Sequence, residues 1–201
     1  MFLIIHFSIL HTVNTKNELI FLVGPGSAGK STTGRILANK LGYEFVDIDF
    51  VFCERIGFIS DFITEQGYKA YSEVNSMLFE QLLEEYPTKT VFPLSSGFLV
   101  HKDSPELIRK HKILLKGKGV SILLLPSPLL KESMDIIIPR QMAREYLDLV
   151  KKREKAKLRS RHPKYKRYGD IKIFSTEPPE QIADLMLGEL NKLGIPKKRV
   201  K

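Results

Sequence analysis

The sequence is poor in the features that would place a protein in a membrane or in an oxidising compartment. Cys53 is its single cysteine, which excludes an internal disulfide framework and favours a reducing compartment such as the cytoplasm. No apolar run approaches the roughly 20 residues that a membrane-spanning helix needs, so we expect no membrane partner. The histidines lack metal-ligand spacing with Cys53 or with one another, so a metal site built on them is not expected.

The composition that remains is ordinary for a globular protein. Among the 201 residues, 43% are hydrophobic and 27% are charged. This length fits one domain that buries a sizeable core without disulfides or metals. Residues 1–13 are unusually apolar, but no basic residue precedes them and no small-residue cleavage site follows. We expect an extra N-terminal strand there, or an upstream start codon that is not used in the cell.

The net charge of +9 comes from one segment. Residues 151–167 contain ten Lys or Arg and one acid, Glu154, so this segment alone carries +9. A basic stretch can bind nucleic acid, but it can equally gather phosphates and carboxylates in the lid of an active site. The aromatic stacking surface of a single-strand binder is not evident here. We therefore expect no specific nucleic-acid partner.

Candidate strands alternate with candidate helices along most of the chain. Residues 19–23 form a continuous apolar run that ends in a glycine turn, as a buried parallel strand does. Further strands are predicted at 43–48, 90–94, 120–125 and 171–174, and helices at 31–41, 65–85, from 104 and at 180–193. The alternation predicts an α/β fold with an open parallel sheet. Ligands of such sheets bind beyond the carboxyl ends of the strands, where the glycine turn, Asp47, Asp49 and residues 95–97 should converge.

Residues 24–31 read Gly-Pro-Gly-Ser-Ala-Gly-Lys-Ser, which is the G-x-x-x-x-G-K-[ST] pattern of a phosphate-binding loop. Lys30 should reach the β- and γ-phosphates, and the Ser31 hydroxyl should ligate magnesium. The alternative is a chance glycine-rich turn, which is disfavoured because the motif stands between a strand and a helix. We thus predict binding of a nucleoside triphosphate with magnesium. The predicted nucleotide-binding residues are Gly24, Gly26, Ser27, Ala28, Gly29, Lys30, Ser31 and Thr32.

Two acids, Asp47 and Asp49, follow the second predicted strand. Acids two apart on an extended segment point the same way, so both could face the phosphate crevice. One would hold magnesium through water, and the other could orient and deprotonate an attacking hydroxyl. In isolation the pair would be interpreted as two solvated turn acids. Its place after a phosphate-binding loop favours the functional interpretation.

Taken together, these motifs resemble those of shikimate kinases, over residues 19 to 193. The resemblance rests on the helix sequence at 29–41, on Phe-Val-Asp-Ile-Asp at 45–49, and on Arg-His-Pro-Lys-Tyr at 161–165, which is similar to the family's R-x-P-x-Y signature. It implies a three-layer P-loop NTPase fold of the nucleoside-monophosphate-kinase type. That fold has a five-stranded parallel sheet in the order 2-3-1-4-5, helices on both faces and a mobile lid.

The resemblance also assigns catalytic and acceptor-binding roles. It implies that Asp49 binds the ring hydroxyls of the acceptor and serves as the base, and that Asp47 belongs to the magnesium shell. Arg161 would hold the carboxylate of the acceptor, which suits a planar bidentate guanidinium.

The lid and the adenine site follow from the same resemblance. Arg140 or Arg144 lies where the family's lid supplies an arginine that neutralises the transferring phosphoryl group. The sequence does not decide between these two arginines, because the family's Arg-Pro-Leu-Leu is missing. Pro179 falls where the family places a proline beside the adenine, and Ser27 stands where it usually has glycine. We expect an apolar extension over 1–18, a kinase domain over 19–196 with its lid at about 131–160, and a basic tail over 197–201.

Several positions of the expected acceptor site depart from the family's pattern. Ser72 stands where the family has an arginine that partners Arg161, and Asn75 where it has the glutamate that orients that arginine. Ser95 and Ser96 add side chains to a turn that is triple glycine in the family. A carboxylate held by one guanidinium instead of two would bind about 1–3 kcal/mol more weakly. The expected substrate-binding residues are Asp49, Ser72, Ser95, Ser96, Gly97 and Arg161.

We therefore expect ATP- and magnesium-dependent phosphorylation of a small carboxylated acceptor, with shikimate converted to shikimate 3-phosphate by a monomer. One alternative is a kinase for another polyol or hydroxy acid, such as gluconate. A nucleoside or nucleotide kinase on the same fold is a second, although no arginine pair for a monophosphate is evident. A third is a non-catalytic ATP-binding regulatory protein. Retention of Lys30, Asp47 and Asp49 argues against it, because a pure binder needs no base.

Overall fold

The computed structural model describes residues 18–101, 104–144 and 149–195, together with the backbone of 4–7. Its strands are β1 (Ile4–Phe7), β2 (Leu19–Val23), β3 (Glu44–Phe45), β4 (Thr90–Pro93), β5 (Gly119–Leu125) and β6 (Ile171–Phe174). They form one sheet in the order β1-β6-β5-β2-β4-β3. Neighbours from β2 to β6 pair in parallel, and β1 pairs antiparallel with β6. Without β1, the order of the parallel strands is 2-3-1-4-5, which confirms the prediction.

Helices cover both faces of this sheet. They are α1 (Lys30–Leu41), α2 (Ile48–Arg55), α3 (Ile59–Glu85), α4 (Pro105–Lys118), α5 (Leu130–Met142), α6 (Lys151–Tyr165) and α7 (Pro179–Lys192). Residues of α2, α3, α4 and α6 share one core with the sheet, and residues of α1 and α7 share the other. The fold therefore has the three layers that were expected. None of these helices is both long and apolar enough to cross a membrane.

Strand β2 shows how the sequence specifies the two cores. Leu19, Phe21 and Val23 belong to the core on one face of the sheet, whereas Ile20 and Leu22 belong to the core on the other. Successive side chains of a strand point to opposite faces. An unbroken apolar run is consequently what a strand covered on both faces requires.

The second predicted strand is wrong in its extent. A strand was expected over 43–48, but β3 comprises two residues and α2 begins at Ile48. The physical reason is the side chain of Asp47, whose Oδ1 accepts hydrogen bonds from the backbone N–H groups of Asp49, at 3.0 Å, and Phe50, at 3.4 Å. This is an N-cap, and it turns the chain into a helix. The two acids therefore do not lie on an extended segment, as had been assumed.

Helix α3 is interrupted near its start, next to the site. It was predicted over 65–85 but begins at Ile59, and Gly67 has non-helical dihedral angles of φ 85° and ψ 162°. Glycine takes positive φ without the strain that a Cβ brings. The part of α3 after Gly67 begins with Tyr68, and its buried residues include Ser72 and Asn75.

The ends of the chain bear on two further expectations. Strand β1 supplies the extra strand that was expected in the apolar N-terminal segment, whereas the predicted basic tail at 197–201 lies outside the described residues. The predicted lid at about 131–160 contains nearly all of α5 and the first two thirds of α6. Residues 145–148, between these two helices, lie outside the described residues. Ile137, Ile138 and Leu158 form a small core between these two helices.

Candidate active site

The phosphate-binding loop joins β2 to α1, and its shape depends on glycine. Gly24 has φ 150°, and a Cβ at this position would collide with the backbone oxygen of Leu124. Gly29 has φ 96° and is the N-cap of α1. That N-cap has no side-chain hydrogen bond, and the first turn of α1 contains no acid. The positive end of α1 is therefore neither capped nor neutralised within the helix, which suits the binding of an anion.

Lys30 is buried against this loop. Its Nζ donates hydrogen bonds to the backbone oxygens of Gly24, at 2.8 Å, and Pro25, at 2.9 Å. Burial lowers the pKa of Lys30 to about 8, although the negative charges of Asp49 and Asp47 work in the opposite direction. The two carboxylates thus lie close enough to act on the ammonium group, as the predicted convergence at one edge of the sheet requires.

The other loop residues differ in exposure. Ala28 is buried, and Ser31 and Thr32 are exposed on the first turn of α1. Ser27 has φ 60°, and its buried Oγ has no hydrogen-bond partner in the part of the chain that the structure describes. This positive φ gives a physical reason why glycine suits the position.

Asp49 lies on the first turn of α2 and faces the turn after β4. The hydroxyl of Ser95 donates a short hydrogen bond to Asp49 Oδ1, and Asn75 Nδ2 donates to Ser95 Oγ at 3.2 Å. Burial raises the pKa of Asp49, and the hydrogen bond from Ser95 and the charge of Lys30 oppose that rise. Burial next to Asp49 likewise raises the pKa of Tyr71. Asp49 is thus a half-buried carboxylate that accepts a hydrogen bond from Ser95, and its raised pKa brings a general base closer to neutral pH.

Arg161 lies on α6 at the other side of the same turn. Its Nη2 donates to the hydroxyl of Tyr68 at 3.3 Å, and the ring of Tyr68 lies 5.8 Å from the guanidinium carbon. Burial works to lower the pKa of Arg161, but the hydroxyls of Tyr68 and Tyr165 outweigh it and the pKa is raised. Tyr165 in turn donates a short hydrogen bond to the backbone oxygen of Ser96. Gly97 completes the turn beneath Tyr68.

The structure separates the two lid arginines. Arg140 is exposed on α5, whereas the positive charge of Arg144 acts on both Lys30 and Asp49 and lowers their pKa values. Arg144 therefore lies near the phosphate-binding loop and the expected base. Pro179 is exposed at the first residue of α7, and its contact with an adenine stays a prediction.

A small, partly open pocket lies between the phosphate-binding loop and the turn at residues 95–97, here called the acceptor turn. Its lining residues are Pro25, Gly26, Ser96, Gln141, Glu154, Lys157, Leu158, Arg161 and Tyr165. Glu154, the one acid of the basic segment, is 5% exposed and forms an ion pair with Lys157 at 2.5 Å. Gln141 is 8% exposed, and its Oε1 has no hydrogen-bond partner among the described residues. Polar groups therefore line the space between the two halves of the site.

Sequence reasoning missed the contributions of Tyr68, Tyr71, Gln141 and Glu154. A signal existed for Tyr68, which follows a glycine and lies one helical turn before Ser72. Glu154 was visible as a single acid among ten basic residues. Tyr71 and Gln141 carry no such signal, because their roles arise from contacts with distant parts of the chain.

The residues present fit a nucleotide but do not form a metal cage of their own. No three side chains of His, Cys, Asp or Glu lie close enough to hold a metal ion in the part of the chain that the structure describes. Magnesium commonly binds to one or two protein oxygens together with phosphate oxygens. The exposed Ser31 hydroxyl and the Asp47 carboxylate beside Lys30 are compatible with that mode.

A phosphate loop that opens toward a carboxylate and a guanidinium is the arrangement by which P-loop kinases bring a nucleotide to a small acceptor. The chain is a small-molecule kinase of this class. Residues 26–191 match the family model described as shikimate kinase, and the chain belongs to that family.

Individual relatives agree with this assignment. Shikimate kinase 2 of Yersinia enterocolitica is 26% identical over 175 residues, which cover 85% of this chain and 94% of that protein. The shikimate kinase of Chlorobium chlorochromatii is 41% identical over 94 residues, which cover 46% of this chain and 48% of that protein. The solved structure of shikimate kinase from Acinetobacter baumannii in complex with shikimate has a TM-score of 0.69 at 22% identity, covering 87% of this chain and 93% of that one. At 22% identity, this structural similarity concerns the fold alone.

Proposed function

We propose that this chain transfers the γ-phosphate of ATP, with Mg²⁺, to a hydroxyl of shikimate and forms shikimate 3-phosphate. Membership of the shikimate kinase family supports this acceptor. The observation that carries the proposal is the position of Asp49, which lies beside Lys30 of the phosphate loop and is hydrogen-bonded to Ser95 of the acceptor turn. A carboxylate between a phosphate site and an acceptor site is where a general base for phosphoryl transfer is needed.

The nucleotide half of the reaction depends on the loop and its lysine. The backbone amides of residues 26–30 would bind the phosphates, and Lys30 would leave the carbonyl groups of Gly24 and Pro25 to reach the β- and γ-phosphate oxygens. Magnesium, when bound, neutralises charge between these phosphates. Ser31 and Asp47 are the residues that would hold it, and Pro179 would lie beside the adenine.

The acceptor half depends on Asp49 and Arg161. Asp49 would accept the proton of the attacking hydroxyl, and it retains lone pairs for this purpose because Ser95 donates to only one of its oxygens. Arg161 would bind the carboxylate of the acceptor. Arg144 is the better candidate for stabilising the transferring phosphoryl group, since its charge already acts on Lys30 and Asp49.

The proposal predicts that Asp49→Asn strongly reduces transfer and leaves nucleotide binding intact. Removal of a general base costs about 10²–10⁴-fold in kcat. Because burial raises the pKa of Asp49, this carboxylate becomes protonated, and so inactive as a base, at a higher pH than an ordinary aspartate. As the pH falls, the wild type should therefore lose activity before it reaches the usual titration range of an aspartate. The measurement is shikimate-dependent ADP release against pH, with ATP affinity from calorimetry.

Asp184→Asn is the matched control, because this exposed aspartate on α7 pairs with Lys40. It should behave as the wild type. A wild type that releases no ADP in response to shikimate or related hydroxy acids would refute the proposed reaction. Full transfer by Asp49→Asn would refute the role of Asp49 as the base.

A further inference from the structure

One side chain, Tyr68, lies against two of the expected substrate-binding residues, Arg161 and Gly97. Its hydroxyl accepts a hydrogen bond from Arg161 Nη2 at 3.3 Å. The same hydroxyl lies directly over Gly97, since a Cβ on that glycine would collide with it, and Arg161 Nη2 lies 3.7 Å from that Cβ position. The Tyr68 hydroxyl thus lies beside both Arg161 and Gly97, where it can contact a carboxylate bound to Arg161.

The side chains at the two departing positions of α3 make their hydrogen bonds elsewhere. Ser72 is 6% exposed, and its hydroxyl donates to the backbone oxygen of Tyr68 at 2.9 Å, within its own helix. Asn75 is 3% exposed, and its amide binds Ser95, which holds Asp49. Neither therefore supplies a second contact to an acidic group beside Arg161.

The geometry of α3 explains why Tyr68 can supply that contact. Residues four apart lie on the same face of a helix, so Tyr68 and Ser72 share a face one turn apart. The interruption at Gly67 makes Tyr68 the first residue of the following helical part. Its ring packs against Tyr71, with centroids 5.6 Å apart, and against His101, at 6.2 Å. These contacts hold the hydroxyl over Gly97.

We propose that Tyr68 is the second residue that binds the acidic group of the acceptor, and that its hydroxyl donates a hydrogen bond to the carboxylate held by Arg161. This inference rests on the proposed function. The phenol accepts from Arg161, so its own hydrogen is available to an acceptor oxygen. A neutral donor thereby takes the place of a second guanidinium. The acceptor class is a hydroxylated ring with one carboxylate, bound by one charge and one hydroxyl.

The test compares Tyr68→Phe with the wild type and with Tyr86→Phe. Tyr86 is the C-cap of the same helix, so Tyr86→Phe makes the same chemical change at the far end of α3. Loss of a hydrogen bond to a charged group should raise KM for shikimate about tenfold or more in Tyr68→Phe. Its kcat and its KM for ATP should stay within about twofold of the wild type. With a cyclohexene triol that lacks the carboxyl group, the two proteins should have equal KM values.

Tyr68→Ala tests whether Tyr68 binds the acceptor or only obstructs the acceptor site. If the tyrosine merely blocks the site, its truncation opens space, and KM for shikimate falls below that of the wild type. That result would overturn the inference, as would an unchanged KM in Tyr68→Phe. Calorimetric titration with shikimate makes the same comparison without turnover. An inactive wild type that binds shikimate more tightly than Tyr68→Phe would refute the kinase reaction and uphold the role of Tyr68, whereas a wild type that neither binds nor turns over shikimate refutes both.

Discussion

Ser27 occupies a backbone conformation that disfavours side chains. Its φ of 60° lies in the left-handed region, which costs a residue with a Cβ about 1–2 kcal/mol. Its hydroxyl is buried without a hydrogen-bond partner among residues 18–101, 104–144 and 149–195, so no hydrogen bond within these ranges offsets that cost. Strain of this kind is tolerated at functional loops when the surrounding structure determines the conformation.

Replacing Ser27 separates the strain from the hydroxyl. Ser27→Gly and Ser27→Ala both remove the hydroxyl and differ only in the Cβ. Because glycine relieves the strain but gains entropy in the unfolded chain, we expect Ser27→Gly to be more stable than Ser27→Ala by about 0.5–1 kcal/mol. Urea unfolding without nucleotide measures the difference. Equal stabilities would show that the strain only offsets the entropy cost of glycine, and a more stable Ser27→Ala would show that the positive φ carries no cost here.

At the scale of the element, α2 depends on Asp47 for its start. Its carboxylate caps the backbone N–H groups of Asp49 and Phe50, and so it also sets the position of the proposed base. The same carboxylate lies close enough to Lys30 for its charge to act there. Asp47 thus combines a structural role that is visible in the structure with a proposed role near magnesium.

Two substitutions separate these roles. Asparagine caps helices about as well as aspartate, so Asp47→Asn should keep the stability of the wild type, whereas Asp47→Ala should lose about 1 kcal/mol. If Asp47 belongs to the magnesium shell, the half-saturating concentration of Mg²⁺ should rise about tenfold in both variants. Urea unfolding and Mg²⁺ titrations of the reaction give the two quantities. A normal Mg²⁺ requirement in Asp47→Asn would refute the role of Asp47 in the magnesium shell and leave only its role as the N-cap of α2.

At the scale of the whole molecule, His111 on α4 connects α3 with the segment that follows the acceptor turn. It is 1% exposed, and its ring nitrogens lie 3.0 Å from the backbone oxygen of Phe98 and 2.8 Å from Ser76 Oγ. The ring stacks on Phe98 with centroids 3.8 Å apart. Helix α4, helix α3 and the segment after the acceptor turn therefore meet at one neutral imidazole. Burial lowers its pKa to about 4.

This lowered pKa predicts a loss of stability in acid. An unfolded histidine takes up a proton below about pH 6.5, whereas folded His111 does so only near pH 4, so the free energy of unfolding falls through that window. His111 should account for about 2 kcal/mol of the difference between pH 7 and pH 5. His111→Gln, which cannot titrate, should lack this component in urea unfolding at the two values. Parallel pH dependences of the two proteins would contradict the assignment.

The sheet and the phosphate loop could be predicted because their signals are local. Strand β6 was predicted at its observed bounds, and β5 within one residue, because each is a mostly apolar segment between turn residues, interrupted by Lys172 in β6 and by Ser121 in β5. Strand β3 was overestimated because the capping of α2 by Asp47 is decided by a side-chain hydrogen bond that an apolar pattern does not reveal. The loop from Gly24 to Lys30 was evident because its glycines, its lysine and the helix that follows are contiguous.

The acceptor site was predictable only in part. The sequence determined by itself that the phosphate loop, Asp49 and residues 95–97 follow strands whose carboxyl ends meet at one edge of a parallel sheet, and the resemblance to the family added Arg161. The tertiary structure alone decided what surrounds them. Asn75 meets Ser95 across 20 residues, Ser95 meets Asp49 across 46, and Arg161 meets Tyr68 across 93. Contacts at such separations follow from how packed elements present their side chains, which neither periodicity nor motif spacing encodes. The loss of a charged partner at Ser72 was visible in the sequence, and the hydroxyl of Tyr68 beside Arg161 became visible only in the fold.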